Sequence, residues 1–216
     1  MKDFGLSREV PVVPGQTALL VIDVQNYTME EGGAYAGLDP AVKEAKYGFF
    51  FKEMRQRALP NMQKLLAACR GKGIEVVYTV MAALTRDGRD LSLDYKITGF
   101  FCHKDDWDAQ VMDEMAPVSD EIVLPKGSSS VFISTHIDYL LRNMGKRQLI
   151  MVGALTDQCV DSAVRDACDM GYLVTLVTDA CATQSQARHV SALANNKGYC
   201  RQVTTEALLA ELAAAG

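Results

Sequence analysis

Three residues far apart in the chain, Asp23, Lys126 and Cys159, could together break an acyl bond. A cysteine attacks carbonyl carbon as its thiolate. A free thiol with a pKa of ~8.5 reaches that form at neutral pH only with help from a helix N-terminus, a cation or a general base. Cys159 lies in "VGALTDQCVDSAVRDA" (152–167), where an apolar segment stops and a helical pattern begins. Thr156 or Asp157 is the expected N-cap of that helix, which puts Cys159 in its first turn beside backbone N–H groups that lack intrahelical partners. The N–H groups of Cys159 and Leu155 could then hold the oxyanion of a tetrahedral intermediate. Asp23 follows four apolar residues, 19–22, so its carboxylate enters a partly desolvated place from which it could take the thiol proton. Lys126, just after Pro125, could supply the cation.

Each residue also has an ordinary reading. Free cysteine packs readily into cores. At ~100° per residue the apolar stripe of its helix is centred on Val160, Ala163, Val164 and Ala167, with Cys159 at the edge. Asp23 could cap a loop, and Lys126 could be a solvated surface lysine. Cys168, nine residues after Cys159, points to the opposite side of the helix and reads as buried packing. Three such groups at three strand ends favour chemistry.

The elements that must position them are legible. Residues 17–25, "TALLVIDVQ", are apolar without strict alternation, as in a strand buried on both faces of a parallel sheet. Leu59, Met62, Leu65, Leu66 and Cys69 form a helical stripe stopped by Gly71 and Gly73, and "IEVVYTV" (74–80) makes a second strand. Strands at 121–125 and 147–153 follow with a helix between them. Then come a helix over about 157–170, a strand at 172–178, a helix at 185–197, a short strand at 199–205 and a terminal helix. Six strands alternating with helices predict an α/β fold in three layers: a doubly wound, mainly parallel sheet of order 3-2-1-4-5-6 within one domain spanning 1–216. Ligands then bind beyond the carboxyl ends of the strands, where Asp23, Lys126 and the Cys159 turn lie. Residues 28–57 and 81–119 are too long for simple connections and carry Tyr35, Tyr47, Phe49, Phe100 and Trp107, so both are expected to be functional loops.

A net charge of −5 without a dense Lys/Arg cluster gives no footprint for nucleic acid or an anionic membrane, and no apolar run reaches the ~18 residues of a membrane span. The start, "MKDFGLSREVPVVPGQ", has no apolar h-region, and six scattered cysteines without a CxxC pair suit a reducing compartment. A cytoplasmic protein acting on a small molecule is the expectation.

The blocks "ALLVIDVQN", "VLPKGSSSVF" and "VGALTDQCVDSAVRDACDMGYLVTLVTDACAT" together resemble the isochorismatase-like cysteine hydrolases, a superfamily that includes nicotinamidase, N-carbamoylsarcosine amidohydrolase, ureidoacrylate hydrolase and biuret hydrolase. The resemblance implies a catalytic triad of Asp23, Lys126 and Cys159, an oxyanion hole from the N–H groups of Leu155 and Cys159, and a cis peptide at Ala154–Leu155. It implies amide hydrolysis through a thioester, releasing ammonia or an amine. Members that cleave a vinyl ether lack the cysteine, so an amide substrate is expected. Metal-dependent nicotinamidases carry an Asp-x-His and a further His. Here His103, His136 and His189 do not fit that spacing, so neither metal nor cofactor is expected. The segment from Ser162 through "KGYCRQ" looks most like the ureido and biuret type, which points to a small carbamoyl or ureido substrate. Gln25, Asn26 and Tyr27, with Gln202 from the sixth strand, are candidate substrate contacts. The resemblance also implies a homo-oligomer, dimer or tetramer. The alternatives are a nicotinamidase-type amidase and a non-catalytic binding module of the same fold.

Overall fold

In the computed structural model, which describes residues 2–29, 31–33 and 35–214, six strands form one all-parallel sheet: β1 Thr17–Ile22, β2 Glu75–Met81, β3 Ile122–Lys126, β4 Gln148–Ala154, β5 Leu173–Ala182 and β6 Arg201–Val203. Their order is β3-β2-β1-β4-β5-β6, the order expected from the sequence. All six residues of β1 are buried, because successive side chains enter two different cores. Leu19 and Val21 pack with Met62, Leu65 and Leu208 on one face, and Ala18, Leu20 and Ile22 with Leu141, Val160 and Val164 on the other.

The helices α1 Pro40–Glu53, α2 Leu59–Gly71 and α8 Thr205–Ala214 contribute to the first core. The short α4 Val131–Ser134 and α5 Ile137–Asn143, together with α6 Cys159–Asp169, contribute to the second. The remaining helices are α3 Leu93–Thr98, in the β2–β3 connection, and α7 Gln186–Asn196, which follows β5. Among the described residues no helix is long and apolar enough to cross a membrane.

The expected loop at 28–57 is corrected: from Pro40 onward it is helix. The Asp39 side chain accepts from the N–H groups of Ala41 and Val42, and Pro40 fits the first helical turn. α1 then runs through a π-helical turn, Met54–Ala58, directly into α2. Pro60 lacks the N–H that a continuing helix would aim at the carbonyl four residues back, and its ring clashes there. The wider turn just before it accommodates both. That insertion shifts the phase of the apolar stripe, which hides the helix from a 3.6-residue reading. Residues 81–119 hold α3 and two 3-10 turns, Trp107–Ala109 and Asp113–Met115. α3 is capped by Ser92, whose Oγ accepts from Tyr95 N, and is ended by Gly99 at φ +76°.

Register brings the site together. Ile22 pairs with Thr79 of β2 and Gly153 of β4, while Met81 pairs with Lys126. Asp23, Lys126 and the turn after Ala154 therefore leave the sheet at one edge. Gly153 sits where β4 crowds β1: its φ is +129°, and a Cβ there would lie 2.1 Å from the Ile22 carbonyl oxygen.

Candidate active site

Asp23 leaves β1 in the left-handed region, at φ +53°, a conformation that aspartate tolerates better than most residues. Its N–H donates to the Thr79 carbonyl (3.0 Å), and Thr79 Oγ1 donates back to Asp23 Oδ1 (2.7 Å). The other carboxylate oxygen faces Lys126 Nζ at 2.8 Å.

Lys126 is wholly buried, and its ammonium meets four groups: Asp23 Oδ2, the Ser128 carbonyl (2.9 Å), Tyr95 OH (3.1 Å) and Cys159 Sγ (3.3 Å). An ammonium has three hydrogens, so four partners share them. Burial by itself would depress this ammonium. The charges of Asp23, then Cys159 and Tyr95, outweigh it and hold Lys126 well above its ordinary range.

Charge counting decides the thiol's state. One buried cation faces one carboxylate, so a thiolate would leave the cluster with an uncompensated negative charge. Burial accordingly pushes the Cys159 thiol up to about 11, opposed by Lys126 and reinforced by Asp23. The resting cluster is thus an ammonium–carboxylate pair beside a protonated thiol.

Cys159 is the first residue of α6, as expected, but the expected cap is corrected. The residue preceding the helix is Gln158, and no side chain caps it. Asp157 instead accepts from Arg188 Nε and Thr183 Oγ1, both at 2.5 Å, and Thr156 Oγ1 meets His189 Nδ1 at 3.0 Å. These contacts tie the turn to α7 and the end of β5. The Ala154–Leu155 peptide is cis. Among the described residues, neither Leu155 N–H nor Cys159 N–H donates to a backbone carbonyl.

A cavity of about 300 Å³ opens above these groups, within the size range of small-ligand sites. Asp23, Cys159 and Leu155 line it, with walls from Tyr27, Tyr35, Tyr95 and Phe100 and a mouth that includes Asp94, Thr98 and Gln158. Phe100 packs edge-on against both Tyr27 and Tyr95, with centroids 6.3 and 5.5 Å apart.

Of the candidate substrate contacts, Tyr27 alone lines this cavity. Gln25 is fully buried: its Nε2 donates to the carbonyls of Met81 and Asp108, and its Oε1 accepts from Met81 N. Both of its amide hydrogens are thus used in joining two loops. Asn26 donates to the Trp107 carbonyl, and Gln202, on the outer strand β6, donates to the Leu193 carbonyl. Cys168 is half-buried rather than buried. His189 is buried under Thr156, His103 is buried in the β2–β3 connection, and His136 is exposed before α5. Among the described residues no group of three or more His, Cys, Asp or Glu side chains is placed to hold a metal ion.

Thr79 and Tyr95 are site residues beyond the sequence-based set. Thr79 had a signal, as a polar side chain within an apolar strand buried on both faces. Tyr95 had none, since only the fold of the β2–β3 connection brings it to Lys126.

Residues 17–207 match the isochorismatase domain family. The ureidoacrylate amidohydrolase RutB of Rhizobium rhizogenes (strain K84) is 30% identical over 190 residues, covering 79% of this chain and 72% of that protein. The crystal structure of a cysteine hydrolase from Pseudomonas syringae pv. phaseolicola superposes with a TM-score of 0.81 at 23% identity, covering 96% of this chain and 97% of the other. That of an N-carbamoylsarcosine amidase from Thermoplasma acidophilum superposes with 0.68 at 24%, covering 88% and 97%. These structural likenesses concern the fold. The match over residues 17–207 concerns descent, and by it the chain belongs to the isochorismatase family of hydrolases.

Proposed function

We propose that the protein is a cysteine-dependent amidohydrolase that cleaves the C–N bond of a small carbamoyl or ureido compound through a thioester. One observation carries this reading: an ammonium, a carboxylate and a thiol, with Nζ–Oδ2 of 2.8 Å and Nζ–Sγ of 3.3 Å, meet at a cavity large enough for a small amide. The RutB relatives, named for an amidohydrolase, support the bond type.

The chemistry follows from the charge state. The thiol is protonated at rest, so Cys159 attacks as its proton passes to Asp23, and Lys126 next to both groups compensates the charge that moves. A C–S bond forms at the carbonyl carbon, and the oxygen takes the negative charge opposite the N–H groups of Leu155 and Cys159. Asp23 gives the proton to the departing nitrogen, the C–N bond breaks, and ammonia or an amine leaves. Water then attacks the thioester, losing its proton to Asp23, and the C–S bond breaks to restore the thiol. Lys126 holds Asp23 in place throughout.

The test is ammonia release from biuret, ureidoacrylate, N-carbamoylsarcosine and nicotinamide by wild type and by Cys159→Ser. Turnover of a ureido compound that disappears in the variant is expected. Turnover of nicotinamide alone would keep the mechanism and replace the substrate class. Silence across the panel, with Cys159 no more readily alkylated than a model thiol, would mark a binding module instead.

A further inference from the structure

We infer that the cavity selects by charge: its substrate carries an uncharged or cationic non-reacting end that donates hydrogen bonds, and a carboxylate there is disfavoured. This rests on the amidohydrolase reading for the word substrate, but its physical basis is separate.

Among the described residues, the cavity lining contains no Arg, Lys or His side chain. The five remaining residues, Met1, Glu30, Ala34, Ala215 and Gly216, add none either. The one cation beneath the floor, Lys126, is wholly buried, and its hydrogens are shared among Asp23, Ser128, Tyr95 and Cys159. Nearby basic side chains are engaged elsewhere: Arg89 with Asp87 (3.0 Å), Lys96 of α3 with the Arg89 carbonyl (2.8 Å), Lys104 with Asp105 (2.7 Å) and Arg188 of α7 with Asp157 (2.5 Å). A substrate carboxylate would find no fork or ammonium to replace its lost hydration.

The ionic group that does reach the mouth is Asp94, on the first turn of α3, and among the described residues its carboxylate has no hydrogen-bond or ion-pair partner. It lies next to Tyr95, so its charge and the aromatic walls of Tyr27, Tyr95 and Phe100 face the same space. An acid beside electron-rich ring faces accepts N–H donors and attracts cations. Two of the relatives' names, ureidoacrylate amidohydrolase and N-carbamoylsarcosine amidase, refer to carboxylates, so charge is a point on which this chain's cavity would depart from theirs.

Two measurements test this on the whole 216-residue chain. The first compares kcat/KM for three ureas of similar size: ureidoacetate, N-(2-hydroxyethyl)urea and N-(2-aminoethyl)urea. The neutral and cationic ureas are expected to exceed the anionic one by about tenfold or more, the scale of one like charge at moderate screening, and Asp94→Asn should narrow that gap several-fold. The second needs no turnover: alkylation of Cys159 by iodoacetamide against iodoacetate, read by peptide mass spectrometry, with half-buried Cys168 as the internal reference. The preference for iodoacetamide at Cys159 should exceed that at Cys168 by about tenfold and shrink in Asp94→Asn.

Equal or better use of ureidoacetate, or a gap that Asp94→Asn leaves unmoved, would overturn the charge selection while leaving the amidohydrolase standing. No turnover of any urea combined with a strong, Asp94-dependent iodoacetamide preference would do the reverse, retiring the ureido substrate and supporting the selection.

Discussion

Lys126→Met is the sharpest test of the charge accounting. The lysine side chain is 0% exposed and its partner Asp23 3%, with 2.8 Å between them. Methionine fills most of the lysine's volume but leaves the Asp23 carboxylate buried with only the Thr79 hydroxyl and the Cys159 thiol as side-chain donors. Removing one partner of a buried pair costs about 3–5 kcal/mol, because the other charge stays uncompensated. Set against a total stability of about 5–15 kcal/mol, the variant folds but with a large loss. Asp23→Asn is expected to cost a similar amount, since it strands the ammonium among Ser128, Tyr95 and the thiol.

The double variant Asp23→Asn/Lys126→Met carries no buried charge from the pair. It should therefore lose only about 1–2 kcal/mol, less than either single change, which gives a coupling energy of several kcal/mol. The assay is urea unfolding of all four proteins at pH 7, followed by circular dichroism, with ammonia release measured in parallel. Lys126 is held above its ordinary range, so its contribution is fully present at neutral pH and lost only as pH rises through that elevated value. In Asp23→Asn the same charge counting lets the Cys159 thiol ionise beside the stranded ammonium, so that variant's loss, and with it the coupling, should be smaller at pH 9 than at pH 6. Turnover should stay at background in all three variants, because restoring stability does not restore a base. Additive losses, or a Lys126→Met cost below about 1 kcal/mol, would refute the reasoning, since either would mean that the pair is screened by water rather than buried.

Other consequences follow from single contacts. The Cys159 thiol is pushed from 9.0 up to about 11, so folding favours its protonated form; that stabilisation is complete below pH 9 and is lost as pH rises through 11. In urea melts across pH 8–11, wild type should lose about 2–3 kcal/mol more than Cys159→Ser. Gln25→Leu, which removes three hydrogen bonds to the main chain, two of them buried, should lower stability by about 2–4 kcal/mol and raise KM by loosening Tyr27, a pairing that denaturation and steady-state kinetics would read together. Gly153→Ala drives a Cβ to 2.1 Å from a backbone oxygen at a φ of +129°, and should fail to give soluble folded protein on size exclusion. Cys168→Ala should leave turnover largely intact, whereas a loss as large as that of a folded Cys159→Ala would contradict its place away from the cavity.

How much of this was legible in the chain depended on whether a neighbour in sequence or a neighbour in space decides each residue's role. β1 is readable because its residues after Thr17 are all apolar and both faces are covered, so Asp23 at its carboxyl end is placed by the sequence alone. Cys159 could be placed in the same way, since the helix that follows it declares its own phase through Val160, Ala163, Val164 and Ala167. Gln25 and Asn26, which do not line the cavity, share one feature: a polar side chain beside the site in sequence whose amide is engaged by backbone arriving from elsewhere. Gln25 is two residues past Asp23, yet an antiparallel bridge with Val111 turns it toward Met81 and Asp108. Asp157 looked like a helix cap by position, and Arg188 with Thr183, brought by the folding of α7 onto the turn, took it instead.

The same contrast separates what the site does from what it accepts. The groups proposed to react sit on strand ends and a helix start, whose registers are fixed by pairs such as Ile22 with Gly153 and Met81 with Lys126. The cavity's selectivity rests on Tyr27, Asp94, Tyr95 and Phe100, all on connections between strands. A strand register tolerates no drift without moving every side chain to the wrong face, whereas a capped turn such as α3 can be rebuilt with different side chains at little cost to the sheet. Bond cleavage is therefore expected to be shared across chains that carry the same acid, lysine and cysteine at these strand ends, and substrate charge to be set chain by chain on the β2–β3 connection. Grafting residues 92–101 from a relative that prefers carboxylate substrates should accordingly change the preferred charge while leaving the dependence on Asp23, Lys126 and Cys159 intact.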